Sequence, residues 1–499
     1  MAEENRLVQE RIRKLNELKE LGVNPYPHKF NVTKKSSAIK HEHESLAPES
    51  KTDIVESVAG RVMLMRNMGK AAFLTIQDGE GKIQIYLRSD DVGKDNYKLI
   101  KKLDIGDFIG VTGHVFTTRT GEISIYASEF VVICKAIKPL PEKFHGVQDT
   151  EIKYRKRHLD LIMNEDSKSV FEKRLRILQA IREFMIQRGF LEVETPILQT
   201  QYGGAAAKPF ITHHNELDMD MYLRISPELF LKQLVVGGFE KVFEINKNFR
   251  NEGIDTTHNP EFTLLEAYQA YADYNDMMDL MESMYDFVAK KVLGTTKVVF
   301  RNQEVDFKKP WPRVTMADSI KKYAGIDVLA MDTTQLQDFV EENLIDFEKE
   351  VNWGNLVGVI FEHFCEDKYV NPTFIIDHPR ESTPLCKGLR TGDERLIERF
   401  EPFCMGMELG NAYSELNDPV LQRKLLEDQQ RQLDAGDDEA NPIDEQFLDA
   451  METGMPTAGG IGIGIDRMLM LLLGQESIRD VIFFPTMKPI IDSEAKKSD

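Results

Sequence analysis

The sequence predicts an α+β protein with more than one domain, and three observations carry that prediction. At 499 residues the chain exceeds what one compact core usually holds. Between about residues 56 and 136, short apolar runs (VAGRVMLM, AAFLTIQD, KIQIYLR, FIGVTG, EISIYA, FVVICK) alternate with turn residues such as DGEG, the pattern of a small barrel or sandwich. Beyond KPLPEKF the texture changes to long amphipathic stretches mixed with isolated strand-like runs.

The chain opens with Val8, Ile12, Leu15 and Leu18 at helical spacing and Gly22 as a stop, which predicts a helix over residues 5–21. The polar stretch from about 33 to 52 reads as a loop or linker. The strands that follow make a five-stranded barrel the size of an OB-fold, with a plain structural β-domain as the rival reading. In the larger domain, Phe171, Leu175, Leu178, Ile181 and Met185 share one face of a helix that Gly189 caps. FLEVETPIL is extended, and its Pro196 is excluded from an interior ladder position. LRISPELFLKQLVVGG reads as strand, turn and helix. KVFEINKNFRNE and EFTLLEAYQAYA read as two strands around a polar loop, although the second also fits a helix. Residues 273–350 read as mostly helical and 434–446 as an acidic surface loop.

A composition of 41% hydrophobic and 29% charged residues is that of an ordinary globular protein. No apolar run approaches the ~20 residues of a bilayer span, and MAEENRLVQERIRKL lacks the apolar core of a secretory signal, so the expectation is a cytoplasmic protein with no membrane partner. The four cysteines, Cys134, Cys365, Cys386 and Cys404, are scattered without CxxC spacing, which argues against structural zinc and a disulfide framework. A net charge of −20 taken alone disfavours a polyanion partner. Local basic clusters, KYRKRH at 153–158 and Arg6, Arg11, Arg13, Lys14 and Lys19 on the first helix, leave that question open.

Three segments concentrate chemistry. FRNEGIDTTHNPEFT (249–263) packs Arg250, Glu252, His258, Asn259, Glu261 and Phe262 around one Gly and one Pro. EPFCMGMELGNAYSELND (401–418) sets Glu401, Glu408 and Glu415 among Phe403, Met405, Met407 and Leu409, company that indicates burial and so demands partners for the carboxylates. GGIGIGIDR (459–467) repeats glycine every second residue, which is strand alternation and not a GxGxxG dinucleotide loop, and Arg467 closes that strand. Two arginines, an aromatic, a bare glycine face and a glutamate pair form a kit for ATP with magnesium.

That kit resembles the signature motifs of class II aminoacyl-tRNA synthetases: GFLEVETPIL is similar to motif 1, FRNEG with HNPEFT to motif 2, and GIGIGIDR to motif 3. GGAAAKPFITHHNELDMDMYLRISPELFLKQLVVGGFEKVFEINKNFRNEG and MELGNAYSELND narrow the resemblance to the bacterial-type, class IIb lysyl-tRNA synthetase family, over nearly the whole chain. The resemblance implies an antiparallel-sheet catalytic domain behind an N-terminal OB-fold domain, working as a homodimer. The substrates would be L-lysine, ATP and tRNA(Lys), with Mg2+ as cofactor. The domains it implies are an N-terminal helix and linker (1–55), an OB-fold anticodon-binding domain (56–140), a linker (141–152), the catalytic domain (153–491) and a polar tail (492–499).

Carried over by position, Arg250 bridges the α-phosphate and the amino-acid carboxylate. Glu252, His258, Asn259 and Phe262 grip ATP, with Phe262 and Arg467 sandwiching the adenine. Glu401 and Glu408 hold Mg2+, and Glu401 also belongs to the ATP set. Gly204 and Glu228 take the α-amino group and Asn411 the carboxylate. A buried ammonium needs compensating charge and hydrogen bonds, which Glu266, Glu415 and Tyr268 supply, with Tyr413 as the wall for the methylenes. Arg66, Phe73, Gln84 and Glu122 match the family's anticodon-reading pattern on the barrel. The sequence departs from the family at Ala412, often Gly, and Tyr413, frequently Phe, and the lysine-rich N-terminal extension of many eukaryotic relatives is missing. Two alternatives stand beside this reading: an aspartyl- or asparaginyl-type synthetase, disfavoured by so many pocket glutamates, and a catalytically silent tRNA-binding paralogue.

Overall fold

The computed structural model describes residues 2–141, 149–347, 351–390, 392–436 and 440–490. The polar tail, part of the 141–152 linker and part of the acidic 434–446 segment therefore lie outside the described residues. The chain divides into two compact units, Met1–Gly146 and Val147–Asp499.

In the first unit the strands Lys51–Asn67, Ala71–Gln77, Lys82–Arg88, Phe108–Thr117 and Ile123–Cys134 close into a barrel. Alternation puts Leu74, Ile76, Ile83, Ile85 and Leu87 inside and leaves their neighbours outside. The runs EISIYA and FVVICK, separate in the sequence reading, are one strand, because its bulges against Phe108–Thr117 keep both halves in one ladder. The stretch read as a loop over 33–52 contains a helix, Ser36–Glu42, and the start of the first barrel strand. Ile39 draws that helix onto the barrel core, where it is fully buried, and Ser36 donates to Asp78 through both its backbone N–H and its hydroxyl. The opening helix, Ala2–Glu20, buries Leu18 in the same core.

The second unit is built on a mixed, largely antiparallel sheet. Its strands run in the order Arg313–Thr315, Thr373–Pro379, Leu396–Cys404, Gly410–Ser414, Ala458–Gly464, Glu261–Ala270, Lys241–Phe249 and Leu191–Glu192, with Met407–Glu408 paired to Leu396–Cys404. Only the outermost pairs are parallel. EFTLLEAYQAYA is thus a strand, and its alternation shows why: Leu265 and Ala267 enter the main core with Ile461, Ile463 and Ala412, while Glu266 and Tyr268 face the other way. Helices Glu165–Gln187, Tyr274–Leu293 and Ile465–Leu472 fill that core. The opposite face is left for the site.

Local readings changed in three places, at Leu175, over residues 273–347 and at Arg467. Leu175 is 55% exposed, because the buried stripe of its helix runs through Phe171, Arg174, Ile177, Ile181 and Phe184. Gly189 follows the Arg188 cap with φ +82°, a conformation open to glycine. Residues 273–347 alternate helices with a hairpin, Lys297–Phe300 and Gln303–Asp306, and the helices Met316–Tyr323, Thr333–Glu342 and Trp353–Phe364 share a core of their own. Arg467 does not close the glycine strand: it sits in the first turn of helix Ile465–Leu472. The basic run KYRKRH is also mostly spent internally. Arg157 is buried on Asp160 and on carbonyls of residues 479–483, and Lys153 pairs with Asp480.

Candidate active site and nucleic-acid face

Three neighbouring strands build the floor of a cavity of about 380 Å³. The middle strand, Ala458–Gly464, carries glycine at the outward positions 460, 462 and 464, and its register fixes what flanks the first two. Gly460 lies between Tyr268 and Tyr413, and Gly462 between Glu266 and Asn411. A Cβ at Gly460 would stand 1.9 Å from Glu415 Oε1 and 2.4 Å from the Tyr268 ring, so only glycine fits. At Gly462 the nearest atoms are 3.6 Å away, on Asn411. Its bare face leaves the floor flat and open to a ligand.

At one end of the cavity three glutamates gather. Glu266 accepts from Ser226 Oγ at 2.8 Å and from the Tyr268 hydroxyl at 3.0 Å, and Glu228 accepts from the Tyr413 hydroxyl at 2.7 Å. Burial, and then the charge of Glu228, pushes the Glu266 carboxyl up to about 8. Burial likewise raises Tyr268 and Tyr413 well above the usual phenol range, so both hydroxyls remain donors. Glu415 is fully buried just behind the lining, in the space that Gly460 leaves. Its carboxylate pairs with Lys232, and apart from that ion pair neither oxygen has a hydrogen-bond donor. Gly204, at φ +85°, packs against Glu228 and Ser226 at the rim.

At the other end stand the cations. The guanidinium of Arg250 lies over the Phe262 ring at 5.2 Å, held where the Arg250 N–H bonds to Pro260 O and closes the polar loop. Arg467 donates to the Glu408 carbonyl at 2.8 Å and lies 3.0 Å from His258 Nε2. His258 in turn pairs through Nδ1 with Asp255 at 2.8 Å. Hydrogen bonds from the Thr257 and His258 region outweigh burial and hold Asp255 down at about 2. A buried pair supports this end from below: Arg174 Nη1 meets Asp466 Oδ1 at 2.6 Å, and Asp466 Oδ2 accepts the Thr263 N–H at 2.7 Å. Glu252 lines the cavity from its exposed loop. Asn259 also borders it, but its amide is engaged with Glu261 O and the Thr486 N–H.

Between the two ends Glu401 and Glu408 share the wall with Arg399, which pairs with Glu401. Burial, and then the neighbouring Glu401, raises Glu408 above the usual carboxylate range. Among the described residues no three His, Cys, Asp or Glu are grouped to hold a metal ion. Two adjacent carboxylates, one uncomfortable in its charge, suit a divalent cation whose other oxygens come from phosphates and water. Sequence reasoning missed Lys232, Ser226, Arg399, Asp255 and the Arg174–Asp466 pair. The spacing of Glu228 and Lys232, one helical turn, was the available signal.

On the barrel, an outward row crosses four strands. Arg66 pairs with Phe73, Phe73 with Tyr86 and Tyr86 with Tyr126 in register. The Phe73 and Tyr86 rings lie 4.6 Å apart and Tyr86 and Tyr126 5.2 Å. The next row sets Gln84 between Thr75 and Ser124, and the Ser124 hydroxyl donates to Gln84. Glu122 is exposed beside these rows and pairs with Lys40. Half-buried rings beside hydrogen-bonding side chains form a stacking platform for unpaired bases. The cations of the opening helix are less available: Arg11 is bonded to carbonyls of Ile105, Ala136 and Lys138, Arg13 pairs with Glu10 and Glu17, and Lys14 pairs with Asp104.

Comparison with known proteins bears on both surfaces. Residues 149–488 match the family described as tRNA synthetases class II (D, K and N), and residues 56–133 match the OB-fold nucleic acid binding domain. A lysine–tRNA ligase of Clostridium novyi (strain NT) is 52% identical, over 98% of this chain and 96% of its own. One from Clostridium kluyveri is 51% identical over 97% and 96%, and one from Pelotomaculum thermopropionicum is 50% identical over 97% and 95%.

Proposed function

The chain belongs to the class II tRNA synthetases of the D, K and N group, and from that premise we propose that it activates L-lysine with ATP and transfers it to tRNA(Lys). It is an enzyme of the ligase type. The observation that carries the choice of lysine is the gathering of Glu228, Glu266 and Glu415 with two tyrosine hydroxyls at the closed end of the cavity. Aspartate would meet repulsion there, and asparagine would leave carboxylates without a counter-cation.

In this reading the ε-ammonium of lysine enters between Glu266 and Tyr268 with Glu415 behind, and Tyr413 flanks the methylenes. Glu228 and the backbone at Gly204 receive the α-amino group, and Asn411 orients the carboxylate towards Arg250. That carboxylate attacks the α-phosphorus, pyrophosphate leaves, and the tRNA terminal ribose then takes the lysyl group from the adenylate. Arg250 neutralises the α-phosphate and the entering carboxylate together, and Phe262 and Arg467 sandwich the adenine. Arg467, braced by His258 and by the Glu408 carbonyl, closes the nucleotide end. Glu252 and Asn259 border the same end, Asn259 by fixing the loop. The chemistry is positioning and charge neutralisation. Glu401 and Glu408 would hold Mg2+, which when bound supplies positive charge to the phosphates. The barrel platform of Arg66, Phe73, Gln84 and Glu122 would read the anticodon.

The working assembly in this proposal is a homodimer in the cytoplasm. Supporting it, Leu175, Ile186, Leu191 and Ile211 of the second unit are apolar and more than half exposed, the kind of surface that a second copy covers. No helix among the described residues is long and apolar enough to cross a membrane. Amino-acid-dependent pyrophosphate exchange, run with all the standard amino acids, tests the assignment. Exchange with lysine alone is expected, and exchange driven by aspartate or asparagine would overturn it.

A further inference from the structure

Lys232 is the cation that pairs directly with two members of the glutamate cluster. It projects from helix Glu228–Val236 with none of its side chain exposed. Its Nζ lies 2.5 Å from Glu228 Oε1 and is paired with Glu415. Aromatic rings enclose it: Tyr413 at 5.5 Å, Phe447 at 5.9 Å and Tyr268 at 6.0 Å from their centroids. Beyond these, the charged and titratable groups that face the cluster are Glu266 from the Glu261–Ala270 strand, Arg224, whose charge acts on Glu266, the Cys386 thiol, whose backbone bridges to Glu415, and Arg399, whose charge acts on Tyr413 and Cys386. Glu228, Glu266 and Glu415 are three acids in a dry site, and bound lysine brings an α-ammonium and an ε-ammonium. Lys232 is the internal cation that pairs with Glu228 and Glu415, while the charge of Arg224 acts on Glu266.

We propose that Lys232 is a positioning residue for the ammonium pocket. Its Nζ clamps the Glu228 and Glu415 carboxylates in the geometry that reads lysine, and its charge keeps Glu415 available as an acceptor. This rests on the lysine reading of the site given above. Glu228 serves the α-amino end of the substrate and Glu415 the ε-ammonium end, so one internal cation joins the two halves of the amino-acid site. Burial drives the Glu415 carboxyl up, and Lys232 is the largest influence pulling it back. Lys232 itself is opposed by burial, which the charges of Glu228 and Glu415 outweigh, so it stays protonated. Removal of this ammonium would push the Glu415 carboxyl further up and favour its neutral acid over the carboxylate that reads an ammonium.

The test is Lys232→Met, an apolar replacement of similar length, assayed by pyrophosphate exchange against wild type across pH, with lysine and ATP varied separately. The expected result is a KM for lysine raised about tenfold or more near neutral pH, with kcat falling less. The acid limb of kcat/KM for lysine should move to higher pH by about one unit or more, while the KM for ATP stays within about twofold. An unchanged or lower KM for lysine, or an unmoved limb, would overturn the proposal, since Lys232 would then be packing alone or competing with substrate. If Lys232→Met does not fold, Lys232→Met/Glu415→Gln removes the charges of the Lys232–Glu415 pair. Recovery of folding and ATP binding supports the countercharge role, and failure of the double variant overturns it. Absence of lysine-dependent exchange in the wild type would sink the lysine reading itself, and this inference with it.

Discussion

Glu415 Oε1 occupies the space in which a Cβ of residue 460 would stand, 1.9 Å from that position. Gly460 is therefore a condition for the acid's placement, whatever its backbone angles. Gly460→Ala should fold with the Glu415 carboxylate and the Tyr268 ring displaced, abolishing lysine-dependent exchange while ATP binding measured by calorimetry persists. Gly462→Ala, whose Cβ meets nothing closer than 3.6 Å, should keep the wild-type melting temperature, and any loss of activity would report a ligand lying on that face. Equal activity losses with equal destabilisation in both variants would contradict this.

The pH dependence follows from Glu266. Its folded-state value of about 8 lies above that of an unfolded carboxyl, so the folded protein holds the proton more tightly. The group's contribution to stability is complete in acid and is lost as pH rises through about 8. The ligand-free protein should therefore lose melting temperature from about pH 4.5, where the unfolded carboxyl gives up its proton, up to about 8, and this loss should level off above that. An entering ammonium favours the carboxylate, so lysine binding near pH 7 should expel up to about one proton. Calorimetry in buffers of different ionisation heat would detect this. A binding heat independent of buffer would refute it.

Arg174 and Asp466 form a buried ion pair that also holds the Thr263 N–H, directly under the strand carrying Phe262 and beside Arg467. Arg174→Met strands a buried carboxylate, at a cost of about 3–5 kcal/mol. Chemical denaturation should show that loss, and the KM for ATP should rise more than the KM for lysine.

Glu408→Gln should raise the Mg2+ concentration for half-maximal exchange by about tenfold or more, because one of two hard carboxylate ligands is lost. A variant with unaltered Mg2+ dependence would remove Glu408 from the metal-holding role.

Phe73→Ala should weaken tRNA binding by about 1–3 kcal/mol, the worth of one stacked base, with lysine-dependent exchange untouched. A fall in exchange without loss of tRNA affinity would be the opposite of what the barrel platform implies.

Much of this architecture can be read in the chain, and the limits have physical causes. Glycine at alternate positions announces a bare strand face at 460, 462 and 464, but register decides that Glu266 and Asn411 flank Gly462, and register is a long-range property. Resemblance supplied those partners where periodicity had none to offer. Lys232 escaped notice because LFLKQL reads as an amphipathic helix with its lysine in water, and only tertiary packing brings Glu415 to it. Ile39 was hidden by the polar residues around it, although one buried apolar residue is enough to dock a short helix. Arg467 reads as strand because glycine alternation continues to Gly464 and no side chain caps the helix that starts at Ile465.

The Ala458–Gly464 strand is the last of the sheet in sequence yet sits in its interior, between Gly410–Ser414 and Glu261–Ala270. Folding must hold a gap open for it, or close the sheet around it late, and contacts of such sequence separation form slowly. A ribosome making this protein would accordingly expose the glutamates, Lys232 and Arg250 before the floor that organises them has been synthesised. The nascent chain would remain unable to form an adenylate until that strand takes its place.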